Sequence, residues 1–169
     1  MELWDLYNAD RKPLHRTHQR GTPLTVGEYH MVVSIWTVNH ANEILLTLRD
    51  AQKEWCPNKW ENTGGSVMAG ETSLQAAVRE LREETGLQAV EKDLMQIRTR
   101  QTDFEWIDSY LLCRDASLSD LILQPGETVD AKWITVSVFE EMARQDLIAD
   151  ASVQEFVLCK SKILAGMEK

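Results

Sequence analysis

The sequence predicts an α+β fold: a mixed β-sheet with helices packed on it, in one domain spanning residues 1–169. Three observations lead there. Strand patterns stand on both sides of a single amphipathic helix in the middle of the chain, and two further helical patterns close it. The length of 169 residues suits one domain and buries a core without disulfide or metal staples. No repeat, linker or low-complexity tract divides the chain.

Residues 2–7 alternate and read as a first strand, ended by the turn signal Asn8-Ala9-Asp10. Residues 14–20 return as a second strand with basic and histidine side chains outward, and Pro23 and Gly27 break it. These first 28 or so residues form an N-terminal strand extension. Residues 30–38 are rich in Val, Ile and Trp and predict a third strand. After a turn at 39–42, residues 43–48 predict a fourth, followed by a polar loop at 50–59.

The helix at 72–85 has the clearest local signals. Thr72 with Gln75 three residues later makes a capping box, and Gly86 is the expected terminator. Leu74, Ala77, Val78, Leu81 and Thr85 fall on one stripe. Residues 94–102, 105–114 and 129–134 read as strands. Residues 136–147 and 152–165 read as helices, the latter with a stripe at Val153, Phe156, Val157, Lys160 and Leu164.

Charge and cysteine usage bound the function. With 18 Lys+Arg against 27 Asp+Glu, the formal charge is −9 and there is no basic run. Duplex nucleic acid is therefore not an expected partner. A phosphate ligand would need a divalent cation as a bridge. The three cysteines, Cys56, Cys113 and Cys159, form no zinc or CxxC spacing and read as reduced thiols in a cytoplasm, each a small buried or half-buried residue. The first residues carry no signal-peptide pattern, and no apolar run is long enough for a bilayer.

The chemistry lies in residues 65–87, GSVMAGETSLQAAVRELREETGL. Glu80, Glu83 and Glu84 stand at i, i+3 and i+4, so a helix gathers them on one face. Their centre lies about 130° from the apolar stripe. Three neighbouring carboxylates repel one another, and burial would raise their pKa values unless a cation neutralised them. Hard oxygen donors of this kind suit Mg²⁺ or Mn²⁺.

This segment resembles the Nudix box, GX₅EX₇REUXEEXGU, at every specified position. The resemblance implies an α/β/α sandwich, the Nudix fold. It also implies a divalent-metal hydrolase (Mg²⁺, with Mn²⁺ as the variant) that cleaves a diphosphate bond to another moiety X in a small molecule. By the same resemblance, Glu80, Glu83 and Glu84 are the metal carboxylates, the Gly65 carbonyl is a further ligand, and Arg79 orients the glutamates. Glu71 then organises the loop–helix junction. Gln124-Pro125-Gly126-Glu127-Thr128-Val129-Asp130-Ala131-Lys132-Trp133 resembles the family's E-V-x-E-x-x-W stretch, which makes Glu127 an extra metal ligand or the general base. Arg49 is the expected phosphate contact and His30 a substrate contact. The implied mechanism is attack on phosphorus by a metal-acidified water whose proton goes to Glu80 or Glu127.

Leu3-Trp4-Asp5-Leu6-Tyr7, His15-Arg16-Thr17-His18-Gln19-Arg20-Gly21 and Gly27-Glu28-Tyr29-His30 further resemble the isopentenyl-diphosphate isomerase-like branch. That makes isomerisation an alternative, although the isomerases' Cys and His beside the box glycine are here Gly64 and Ser66. A non-catalytic nucleotide-binding module is a third reading, but no box carboxylate is lost. No membrane partner is expected. Monomer and homodimer are both compatible with the sequence, and nothing in it selects X.

Overall fold

The computed structural model describes residues 2–168. Strands β1 (Leu3–Tyr7) and β2 (Pro13–Gln19) form an antiparallel hairpin. Then follow β3 (His30–Val38), β4 (Glu43–Arg49), β5 (Trp60–Glu61), β6 (Thr63–Ser66), α1 (Ser73–Thr85), β7 (Leu94–Gln101), β8 (Glu105–Cys113), β9 (Thr128–Thr135), α2 (Val136–Arg144) and α3 (Asp150–Met167). Strands β3 to β9 make one mixed sheet, in which β3 runs parallel to β8 and antiparallel to β6 and β4.

Period-two alternation along β3 divides the core into two layers. Met31, Val33 and Ile35 meet Ala76, Ala77 and Leu81 of α1 on one face of the sheet. Trp36 and Val38 meet Phe139 of α2 and Phe156 and Ile163 of α3 on the other. Trp36, Phe139 and Phe156 form an aromatic cluster with centroids 4.2–5.8 Å apart. Such pairs add about 0.5–1.5 kcal/mol each beyond burial. The α+β sandwich expected from the box is therefore observed. Among the described residues, no helix is long and apolar enough to cross a membrane.

Local signals explain α1. The Thr72 hydroxyl accepts from the Gln75 N–H at 3.2 Å, and the Gln75 side chain accepts from the Thr72 N–H at 3.0 Å. Gly86 ends the helix at φ 74°, in the left-handed region.

Several expectations change. Strands β5 and β6 were not foreseen, because they are two and four residues long and Thr63-Gly64-Gly65-Ser66 has no alternation. The buried face of α3 is Ser152, Glu155, Phe156, Cys159, Ile163 and Gly166, whereas Val157 is 68 % exposed. Two polar residues on that face hide it from an apolar count. They are tolerated because Glu155 pairs with Arg100 and accepts from the Ser109 hydroxyl at 2.7 Å, while Ser152 accepts from the Asn62 N–H at 3.4 Å. Arg98 and Arg100 of β7 both reach α3. Of the three free thiols only Cys159 is buried; Cys56 and Cys113 are exposed.

Candidate active site

The β6–α1 junction builds the site. Strand β6 runs beside β3 in the register Val33↔Gly65 and Ser34↔Gly64 and then turns into α1. Both glycines stand at close approaches, Gly64 to backbone and Gly65 to a side chain. A Cβ on Gly65 would stand 2.2 Å from Glu80 Oε1, and one on Gly64 would stand 2.7 Å from the Val33 carbonyl oxygen. The bare backbone of β6 lets the Glu80 carboxylate lie directly against the strand.

The three box carboxylates are thus not on a solvated face. Glu84 is 6 % exposed and its Oε2 has no partner, the Glu80 side chain is 14 % exposed, and Glu83 is more open. Periodicity had set them apart from the apolar stripe, but β6 closes over them.

Arg79 clamps this group. Its Nε donates to Glu71 Oε1 at 2.8 Å, and its Nη1 donates to Glu80 Oε1 at 2.7 Å and Glu83 Oε2 at 3.1 Å. Its Nη2 donates to the Ser66 carbonyl and to Glu71 Oε2, both at 3.0 Å. Glu71 also accepts from the Met68 N–H at 3.0 Å, which ties the loop to the helix. Arg79 thus touches three box glutamates and the β6 backbone, and Glu71 touches both the loop and Arg79.

Electrostatics follow from the burial. Burial raises the Glu80 carboxyl to about 7; Arg79 opposes the shift, and Glu83 and Glu2 add to it. Burial pushes Glu84 well up as well, helped by the charges of Glu61 and Glu80. Burial alone would lower Arg79, but its hydrogen bonds to Glu71 and Glu80 outweigh that and hold it firmly cationic. The same pair therefore strengthens the arginine while leaving the glutamate reluctant to ionise. Arg79 has several carboxylates around it, whereas Glu80 has one arginine against burial and its acidic neighbours.

These donors fit a hard divalent cation. Glu80, Glu83 and Glu84 line one cavity, one buried Glu84 oxygen lacks a partner, and the Gly65 backbone is bare. Among the described residues no three His, Cys, Asp or Glu side chains already close into a metal cage. The reason is visible: Glu80 and Glu83 are turned onto Arg79.

A cavity of about 360 Å³ brings together Gly65, Arg79, Glu80, Glu83, Glu84, Glu127 and Arg49, so of the expected ligands, bases and substrate contacts all but one share it. Arg49 donates to Glu61 at 2.7 Å and to the Trp55 carbonyl at 2.9 Å, and Glu127 is held by Lys53. His30 is the exception. Its ring is 6 % exposed and covered by Trp4, with centroids 3.9 Å apart, and its Nε2 lies 3.6 Å from Glu105 Oε1. It stands behind the wall and does not line the cavity. Lys53 and Glu105 line it without having been foreseen; both come from stretches with no motif. Neither Trp55 nor Trp60 lines the cavity: Trp60 packs on the core under Lys132, and Trp55 is 75 % exposed.

Residues 28–154 match the NUDIX domain family. An uncharacterized Nudix hydrolase of Listeria innocua is 38 % identical over 146 residues, covering 84 % of this chain and 85 % of the relative. Among solved structures, Deinococcus radiodurans DR0079 superimposes with a TM-score of 0.78 at 22 % identity, over 94 % of this chain and 99 % of that one. The Nudix domain of Shewanella oneidensis NrtR, solved with ADP ribose, gives 0.65 at 15 % identity, over 86 % and 93 %. The two structures share the fold, and the sequence match carries the relationship further: this chain belongs to the Nudix family and is a hydrolase of the kind that acts on pyrophosphate bonds.

Proposed function

We propose that the chain hydrolyses the pyrophosphate linkage of a nucleoside diphosphate joined to another moiety X, or of a similarly small diphosphate, with Mg²⁺ or Mn²⁺. We read residues 1–169 as one catalytic domain of the cytoplasm, with the box at 65–87 and the hairpin as its extension. The observation that carries the reading is the Glu80 carboxylate against Gly65, with the unpartnered Glu84 oxygen beside it, on the wall of a cavity that also holds cationic side chains.

Glu80, Glu83, Glu84 and the Gly65 carbonyl would hold the cation. When bound, it neutralises phosphate charge and acidifies a water. The chain's own residues do the rest. Arg79 keeps Glu71, Glu80 and Glu83 in register, so the carboxylates do not scatter under mutual repulsion. Arg49 and Lys53 supply positive charge near the incoming diphosphate. Glu80 and Glu127 are the candidates for taking the proton from the attacking water. Lys53 binds Glu127 Oε2, and among the described residues Oε1 has no partner, so it is available as an acceptor.

An adjoining cavity of about 230 Å³ shares Val32, Gly64, Gly65 and Glu105 with the first, and Ile107, Ala151 and Ser152 add to its wall. It offers room for X next to the phosphates. The ADP ribose bound by the Shewanella domain supports a nucleoside diphosphate joined to a sugar as X. Residues 3–7, 15–21 and 27–30 support placement in the isomerase-like branch, as a hydrolase. Isomerase chemistry itself is disfavoured, because Gly64 offers no thiol and Ser66 no imidazole where the isomerases place their Cys and His, while every box carboxylate is kept. A panel of diphosphate compounds with Mg²⁺, read by phosphate or nucleoside monophosphate release, tests the reading. Turnover of at least one compound is expected. Interconversion of prenyl diphosphate isomers, or binding without turnover across the panel, would refute it.

A further inference from the structure

The match to the family begins at residue 28, yet two side chains on the wall of the 360 Å³ cavity precede it: Glu2 and Arg20, at the open end of the hairpin. The register Leu3↔Gln19 brings these ends together. The Arg20 N–H donates to the Glu2 carbonyl at 3.0 Å, and Arg20 Nη1 donates to Glu2 Oε2 at 2.7 Å.

The hairpin is pinned to the domain at several points. The Trp4 ring lies on the His30 ring at 11° between planes. Asp5 Oδ2 accepts from the Gly70 N–H, and the Leu3 carbonyl accepts from the Ala69 N–H, both at 2.8 Å, which joins β1 to the loop entering α1. Arg11 in the hairpin turn grips the fully buried Asp108 with both terminal nitrogens. Trp4 Nε1 donates to Glu2 Oε1 at 3.0 Å. A continuous chain of contacts thus runs from His30 through Trp4 and Glu2 to Arg20.

The other guanidinium groups on the wall have less to spare: among the described residues, Arg79 keeps no nitrogen free and Arg49 keeps only Nη2. Arg79 spends all three guanidinium nitrogens on Glu71, Glu80, Glu83 and Ser66, Arg49 serves Glu61 and Trp55, and Lys53 serves Glu127. Arg20 has one carboxylate partner among the described residues, and its Nε and Nη2 are unspent. A diphosphate entering a cavity dominated by carboxylates needs uncommitted donors, and a guanidinium fork matches phosphate oxygens.

We propose that the N-terminal hairpin completes the substrate site: Arg20 binds phosphate oxygens of the diphosphate, and Glu2, fixed by Trp4, is the positioning residue that aims it. The inference rests on the diphosphate reading above. It gives His30 the role of anchoring β1 through Trp4, in place of the substrate contact expected from sequence.

The test joins steady-state kinetics on a hydrolysed member of the diphosphate panel with calorimetric binding of imidodiphosphate in Mg²⁺. Arg20 is largely exposed, so Arg20→Gln should fold, which circular dichroism checks. Arg20→Gln should raise KM roughly tenfold with kcat changed less than about threefold, and weaken imidodiphosphate by a similar factor. Arg20→Lys should recover part of both. Glu2→Ala should raise KM, and Glu2→Gln, which keeps an acceptor for Arg20, should not. Unchanged KM and imidodiphosphate affinity in Arg20→Gln would overturn the inference while leaving the hydrolase reading intact. A wild type that hydrolyses nothing on the panel, yet loses imidodiphosphate on Arg20→Gln, would support the hairpin site and refute the hydrolase reading. A wild type that does not bind imidodiphosphate would overturn the hairpin site.

Discussion

Gly65 and Glu80 touch across the β6–α1 junction so closely that a Cβ on the glycine would stand 2.2 Å from the Glu80 carboxylate oxygen. The obstruction is a movable side chain, and Gly65 has no positive φ, so the backbone itself tolerates alanine. Gly65→Ala should therefore leave the fold nearly intact, with a loss of about 1–2 kcal/mol, while displacing Glu80. Catalytic efficiency should drop on the order of 100-fold. Parallel thermal melts and kcat/KM measurements check this, and a variant as active as wild type would remove the contact from the account.

Arg79→Lys keeps a positive charge and discards the fork. A lysine cannot serve Glu71, Glu80, Glu83 and the Ser66 carbonyl at once. Activity should fall roughly 10–100-fold, from misplaced carboxylates. Glu71→Gln, which keeps the loop contact to Met68 and loses one charge, should cost less. Kinetics of the two variants side by side give the order.

Gly64→Ala meets backbone, not a side chain, because the Val33 carbonyl oxygen would lie 2.7 Å from the new Cβ. Strand β6 must shift from β3. A loss of about 1–3 kcal/mol in denaturant unfolding is expected, larger than for Gly65→Ala. Gly64→Cys should be destabilised as well and gain no isomerase activity, assayed by interconversion of prenyl diphosphates.

In a metal-free buffer, Glu80 titrates at about 7 instead of its ordinary 4.5. Between those values the folded state holds a proton that the unfolded chain has released. Stability contributed here is complete below 4.5, falls as pH rises through the window, and levels off above 7. The slope approaches about 1.4 kcal/mol per pH unit for this one group. Glu84 acts in the same direction. A bound divalent cation takes the place of the protons, so stabilisation by Mg²⁺ should grow from about pH 6 to about pH 8. Thermal melts in chelator and in Mg²⁺ across that range measure it, and Glu80→Gln should flatten the metal-free slope.

How much of this was legible in the sequence depends on how local each feature is. Helix α1 was readable to its ends because Thr72, Gln75 and Gly86 act within a few residues of themselves. The spacing of Glu80, Glu83 and Glu84 gave their common face for the same reason. Their burial was not readable, since it comes from β6, whose two glycines carry no pattern of their own. The inner face of α3 does not follow from its apolar residues, because Ser152 and Glu155 look like surface residues until Asn62, Ser109 and Arg100 arrive from elsewhere. Lys53 reaches Glu127, and Arg20 reaches the cavity, only through the tertiary fold.

We propose that the buried box carboxylates hold the cation on which turnover depends. Glu84→Gln tests it most directly, because it removes the ionisable carboxyl at nearly constant shape and should leave metal-free stability close to that of the wild type. On the best diphosphate of the panel in Mg²⁺, its kcat should fall by about a thousandfold or more, and Mg²⁺ should no longer raise its melting temperature. Turnover near wild type, with Mg²⁺ stabilisation retained, would contradict the account.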